Sequence, residues 1–252
     1  ACAKDAQEAG DLLRRTKCEG VLLSGCSEAG RLCDALRRLP CVQVLGAPPR
    51  HEGWDYVSFS GMSAGRMAAE WVLDQDIAEA ASISVNHFQC RELSLAFKAT
   101  LEASGGTVVD LHVDGGIEFG AVLPELNLGR LGSVFGKLAS RGAWPRAVFL
   151  QHELLVPAFH RFCADRGERP GEDVAIVCAA LPCPSLQLVR PYPVLVNLHP
   201  EEAGRQAVDQ LLWRIGHRNE PRMTRLVEPS LQAPEVPRAS PQGSRRGDAS
   251  VS

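Results

Sequence analysis

Apolar and polar positions along this chain fall into two alternating rhythms. Gly20 to Leu23, Cys41 to Leu45, Tyr56 to Phe59 and Ala147 to Leu150 are short, nearly unbroken apolar runs, the pattern of a strand buried on both faces. Ala81 to Val85, Thr107 to Leu111, Val174 to Cys178 and Val194 to Leu198 read the same way, and Thr224 to Leu231 reads as one closing strand. Between them apolar residues recur every three or four positions, predicting helices over Ala6 to Lys17, Ala29 to Leu39, Ala64 to Gln75 and Glu92 to Ser104. The same spacing predicts helices over Leu123 to Arg141, Val156 to Arg166 and Glu201 to Ile215, the first weakened by Gly129, Gly132 and Gly136. Strands alternating with helices argue for an α/β fold with parallel sheets covered by helices. From Gln232 the chain is dominated by Pro, Ser, Gly and Arg, cannot bury a core, and is expected to be a disordered tail.

Composition narrows the function more than the fold. With 45% apolar and 23% charged residues the chain is an ordinary globular protein. A net charge of −3 gives no electrostatic case for nucleic-acid binding by this chain alone. No apolar run approaches the ~18 residues that would span a bilayer, and no basic-then-apolar leader opens the chain, so it is expected in the cytoplasm and away from membranes. The nine cysteines are scattered without a CxxC pair, which suits small buried thiols in a reducing compartment. Neither a metal nor a cofactor is expected.

One stretch carries two incompatible chemistries. Val57 to Leu73 runs from an apolar strand through Gly61-Met62-Ser63-Ala64-Gly65 into an amphipathic helix. As G-x-S-x-G it is the nucleophile elbow of a serine hydrolase, with Ser63 as nucleophile and Asp173 and His199 available as acid and base. As architecture it is a strand-to-helix junction whose small residues let the helix pack closely. Only two or three strands precede it, fewer than an elbow strand normally has.

Ser60 to Leu73 resembles the D-N-x-A-A-G-R-x-A-A-E-H-L signature of the lactose/galactose-repressor family of bacterial transcription regulators. Ala64, Gly65, Arg66, Ala68, Ala69 and Glu70 match, while Ser60 and Gly61 replace the Asp-Asn pair. Arg91-Glu92 with Ala96-Phe97, then Ala147 to Leu154, Pro170 to Val177, Pro193 to Arg205 and Arg225 to Leu231, are similar to further family segments in the same order. The resemblance covers nearly all of Gly20 to Leu231.

What the resemblance implies is an effector-binding domain of the periplasmic-binding-protein-like type I fold: two Rossmann-like lobes joined by crossover strands, clamping a small ligand. It places residues 1–77 in the first lobe, 78–196 in the second, 197–223 back in the first and 224–231 as a last strand of the second, with 232–252 as tail. The first strand of the first lobe and the DNA-binding head are expected to be missing, so DNA would be reached only through a head outside this chain. The implied partners are a small-molecule effector, a sugar or sugar derivative, and a second copy in a homodimer, paired through the first lobe by the helix carrying Met67, Trp71 and Val72. A solute-binding protein of a sugar transport system is the alternative on the same fold.

Ligand-binding candidates sit at expected strand ends. Arg91, where the resemblance puts an effector-contacting arginine, is expected at a helix start facing the cleft; the plain alternative is an exposed arginine paired with Glu92 or Asp110. Phe88, in the loop before it, is a candidate for stacking on a sugar face. His152 and Glu153 follow the strand Ala147 to Leu150 at its carboxyl end, with capping as the plain alternative. Asn197, with His199, lies on the expected crossover. The family's Asp after the strand Val174 to Cys178 falls near Ala180, which removes a usual sugar-hydroxyl acceptor.

Overall fold

In the computed structural model the described residues are 6–24, 36, 39–46, 48–49, 53–85, 88–113, 128–140, 144–180, 186 and 189–233. They form two sheets. The first holds β1 (Val21–Ser24), β2 (Cys41–Val44), β3 (Asp55–Phe59) and β9 (Thr224–Val227), paired parallel in the order β1-β2-β3-β9. The second holds β4 (Glu79–Val85), β5 (Thr107–Val113), β6 (Ala147–Leu150), β7 (Ala175–Ala180), β8 (Val194–Asn197) and β10 (Ser230–Gln232). Its order is β10-β8-β7-β6-β4-β5, parallel except for β10, which runs antiparallel to β8.

The helices are α1 (Ala6–Arg15), α2 (Gly61–Leu73), α3 (Phe88–Ala103), α4 (Leu128–Ala139), α5 (Leu155–Asp165) and α6 (Pro200–Gly216) among the described residues. Burial explains the apolar strands. Every residue of β2, β3, β6 and β8 is buried, because each of these strands has neighbours on both sides and layers on both faces. One face of the second sheet packs Ile83, Val148 and Leu150 against Phe135 of α4 and Phe159 of α5. The other packs Phe149, Val177 and Val196 against Ala64, Ala68 and Ala69 of α2 and Leu93 and Phe97 of α3. In the first sheet Val42, Val57 and Val227 meet Ala203 and Ala207 of α6.

The helix Gly61–Leu73, expected in the first lobe, thus shares the core of the second sheet. Much of its apolar face is covered within the chain: Ala64, Gly65, Ala68, Ala69 and Val72 are buried and Met67 and Trp71 are half-buried. A Cβ on Gly65 would run into the Leu93 carbonyl oxygen of α3 and lie 2.9 Å from the Ala96 Cβ. Small residues are needed here for helix-on-helix approach.

The expected closing strand Thr224 to Leu231 is two strands. β9 pairs with β3 in the first sheet, and the chain crosses at Glu228 and Pro229 before β10 pairs with β8. The helix expected from Glu92 begins at Phe88, because Cys90 already shares the buried face of Leu93, Ala96, Phe97 and Leu101 at helical spacing. The expected helix over 29–39 lies outside the described residues apart from Leu36 and Leu39; of the tail expected from Gln232, Gln232 itself closes β10 and everything beyond 233 lies outside the described residues.

Candidate functional site: the strand ends between the two sheets

Three times the chain passes from one sheet to the other, and each time it leaves from the carboxyl end of a strand. After β3 it turns at Ser60 into α2 on the second sheet; after β8 it turns at Leu198 and His199 into α6 on the first; after β9 it enters β10 on the second. The carboxyl ends of the two sheets therefore meet at these crossings, where open α/β sheets bind ligands.

The crossings are stitched to each other. The Ser60 N–H donates to the Val227 carbonyl at 3.0 Å, tying the first to the third. His199 Nε2 and Ser230 Oγ lie 2.8 Å apart, tying the second to the third. His199 adopts a left-handed backbone, φ 50°, and its N–H is received by the Asn197 side-chain oxygen at 2.9 Å. Asn197, buried at the end of β8, spends that oxygen on shaping the crossover.

Ser63 is the third residue of α2, past the turn. The N-cap is Ser60, whose side chain accepts from the Ser63 N–H at 3.2 Å, while the two hydroxyls lie 3.0 Å apart. An elbow nucleophile needs the strained position between strand and helix. Here Ser60 occupies that position as a cap, and Asp173 is engaged with Arg169 through both carboxylate oxygens.

At the end of β6, Gln151, His152 and Glu153 have three different environments. Gln151 is buried and its Nε2 reaches Ser82 Oγ of β4 at 2.7 Å and Ser94 Oγ of α3 at 2.6 Å, leaving its Oε1 with no partner. His152 is half-buried, and its Nδ1 accepts the Leu154 N–H at 3.2 Å, so the ring serves as a cap ahead of α5. Burial pushes the His152 pKa below its ordinary value while the nearby Glu153 pulls it the other way. Glu153 Oε2 lies 3.5 Å from that same nitrogen, with its side chain 16% exposed. Burial and the accepted N–H both favour a neutral ring, its Nδ1 lone pair taken by the Leu154 N–H.

Arg91 is the fourth residue of α3 rather than a loop or helix-start residue, and it is exposed. Among the described residues it has no hydrogen-bond or ion-pair partner; Glu92 and Asp110 do not hold it. Phe88 opens the same helix, and its side chain lies outside the described part. Two groups here were not anticipated from sequence, the Gln151–Ser82–Ser94 cluster and Ser230. Ser82 and Ser84 interrupting the otherwise apolar run of β4 were the available signal for the cluster. Ser230 carried none.

Two lobes meeting at their strand ends across three crossings define a periplasmic-binding-protein-like architecture. The sequence profile of the periplasmic binding protein-like domain family matches residues 75–240, and the chain belongs to that family. No curated protein matches the chain significantly. Among solved structures it is similar to a LacI family transcriptional regulator from Enterococcus faecium with bound ribose, at 14% identity and a TM-score of 0.74 over 92% of this chain and 83% of that one. It is also similar to the transcriptional regulator CelR in complex with cellobiose, at 21% identity and a TM-score of 0.71 over 90% and 68% of the two chains. A LacI family regulator from Mycobacterium smegmatis aligns at 20% identity and a TM-score of 0.68 over 92% and 84%. Among the described residues no helix is long and apolar enough to cross a membrane, and no group of three or more metal-ligating side chains is present.

Proposed function

We propose that this chain is the effector-sensing domain of a bacterial, cytoplasmic transcription regulator, and that its effector is a carbohydrate or carbohydrate derivative held between the lobes. The observation that carries this reading is the triple crossing at the strand ends: a hinge joining two rigid sheets is what a ligand-closed clamp requires. The regulator structures it is similar to, with ribose and cellobiose bound in two of them, support the choice of ligand class. Arg91, His152, Glu153, Phe88 and Asn197 supply the polar and aromatic contacts in this reading. DNA would be engaged only through a separate head domain, in a homodimer. α3 covers Val72 and much of α2, which leaves the half-buried Met67 and Trp71 as the part of this helix open to a second copy.

Ser63 is a helix-cap partner and not a nucleophile in this reading; a fluorophosphonate probe should leave it unlabelled. The direct test is a thermal-shift panel of neutral sugars on the purified chain. A ligand at about a hundred times its Kd stabilises the folded form by roughly 2.7 kcal/mol, well within detection. A shift with some sugars and none with others supports the assignment; a flat panel that includes ribose and cellobiose contradicts it.

A further inference from the structure

On the outer edge of the second sheet, β5 carries a polar pair that is held from beneath. The register sets Ser82 opposite Asp110 and Ser84 opposite His112, so β4 and β5 present all four side chains on one face, the one α3 reaches through Ser94. His112 Nδ1 is hydrogen-bonded to Ser84 Oγ, and Ser84 is buried. Asp110 Oδ1 accepts from Ser94 Oγ at 3.5 Å, and Ser94, also buried, receives Gln151 Nε2 at 2.6 Å. The amide takes an acceptor position on Ser94 and leaves its hydroxyl hydrogen for the carboxylate. Each member of the pair is thus fixed through its inner atom by a buried residue. The outer atoms, His112 Nε2 and Asp110 Oδ2, lie 3.7 Å apart and have no other partner among the described residues. Their side chains are 61% and 26% exposed, so both reach water.

The gap between the outer atoms is too long for a hydrogen bond. It suits two bonds to one ion. An imidazole nitrogen and a carboxylate oxygen, each about 2.1 Å from a zinc-like cation and at a tetrahedral angle, stand about 3.4 Å apart, a spacing that a slight side-chain rotation reaches here. The inner hydrogen bonds are also the kind such ligands need. They hold the ring so that its second nitrogen keeps a lone pair outward, and they orient the carboxylate. We propose that Asp110 and His112 form a binding site for a divalent transition-metal ion of the zinc class. His112 binds through Nε2, in the tautomer whose Nδ1–H donates to Ser84 Oγ, and Asp110 binds through Oδ2, with water in the remaining positions. The nitrogen ligand selects against magnesium and calcium, which prefer oxygen alone. The site is separate from the crossings, since β5 lies at the opposite edge of the sheet from β10 and β8. A bound ion ties β5 to β4 through Ser84 and to α3 through Ser94, and so stiffens this lobe.

The test titrates zinc chloride into the tag-free chain at neutral pH by calorimetry. With two protein ligands where a structural site has four, one equivalent should bind with a Kd of about 10–100 µM. His112→Gln and Asp110→Asn should each weaken that equivalent at least tenfold, and both should keep the metal-free melting temperature because the side chains reach solvent. Ser94→Ala, which releases only the hold on Asp110, should weaken it less. His217→Gln should leave it unchanged, since that exposed ring has its Nδ1 against the Trp213 carbonyl and no carboxylate beside it among the described residues. Zinc at about ten times its Kd should raise the melting temperature of the wild type by a few degrees and leave that of His112→Gln in place. Magnesium at the same concentration should do nothing. No binding up to about 1 mM zinc, an equivalent that persists in both His112→Gln and Asp110→Asn, or an equal response to magnesium overturns the proposal. The sensing reading does not depend on the outcome.

Discussion

The two ends of this molecule treat charge in opposite ways. At the amino end of β3, Asp55 and Arg214 form a buried ion pair, their side chains 0% and 4% exposed. All five guanidinium N–H groups are used: Nε and one Nη2 hydrogen on Asp55, the others on the carbonyls of His217, Glu220 and Pro221. The Asp55 carboxylate also receives the Met223 N–H at 2.9 Å and Gln210 Nε2 at 2.6 Å. At the carboxyl end of β6, Glu153 receives no hydrogen bond among the described residues, and Arg91, in the helix that follows β4, is exposed. Charges that fix the framework are fully bonded within the chain. Charges at the meeting of the sheets keep their access to solvent, and in the proposed reading that contrast marks the binding end of the fold.

The largest effect should come from breaking the framework pair. Arg214→Met leaves Asp55 buried without its cation and should cost about 3–5 kcal/mol of unfolding free energy. Urea denaturation measures this directly. Replacing both partners by apolar residues should be milder than the single change, since no charge is then stranded. A single substitution costing under about 1 kcal/mol would erase the contrast.

Arg91→Ala should move binding instead. With a sugar found in the panel, affinity should fall by about 1.5–3 kcal/mol, the range for a charge-assisted hydrogen bond, while stability stays within about 0.5 kcal/mol because the side chain is exposed and unpartnered. Gly65→Ala is a framework defect without charge. Its methyl must push α3 away from α2, at a cost of about 1–3 kcal/mol.

Acid should separate the same two ends in sequence. Burial lowers the pKa of both His152 and His160 below that of an ordinary histidine, with Glu153 and an Arg190 backbone contact respectively acting the other way. A histidine held down in the folded state contributes stability that is complete above the unfolded pKa and declines as pH falls toward the folded pKa. A mild loss between neutral pH and about pH 5 is therefore expected, reduced in His160→Gln. Asp55 follows at lower pH. Burial alone would raise its pKa, but the hydrogen bonds from Arg214, Met223 and Gln210 hold it below the usual carboxylate range, so its contribution disappears only as pH falls below the pKa of a free carboxylate. Unfolding midpoints measured from pH 7.5 to pH 3 would show both steps.

Much of this architecture could be read from the apolar rhythm, because strands buried on both faces leave little choice of residue: β6 is AVFL and β8 is VLVN. The crossings were harder to place. In Thr224 to Leu231 the one mark of the break is Pro229, which cannot donate to a ladder, and which sheet each half joins is settled only by pairing to β3 and β8. Gly65 was legible as a close-approach residue, but its partner is α3, far along the chain. The site was legible in part. His152 and Glu153 are at a strand end as expected, whereas Arg91 is inside a helix because the buried face of α3 already begins at Cys90. The Asp55–Arg214 pair spans 159 positions, a separation at which sequence alone signals no contact.

The contrast between the two ends comes down to one paired measurement: urea unfolding of Asp55→Asn and Glu153→Gln at neutral pH. The first should lose several kcal/mol, on the order of the buried-pair cost. The second should hold or gain stability, because it removes a charge that no described residue compensates. Equal losses in the two variants would mean that Glu153 is bonded into the framework after all, and would contradict the assignment of the β6 strand end to recognition.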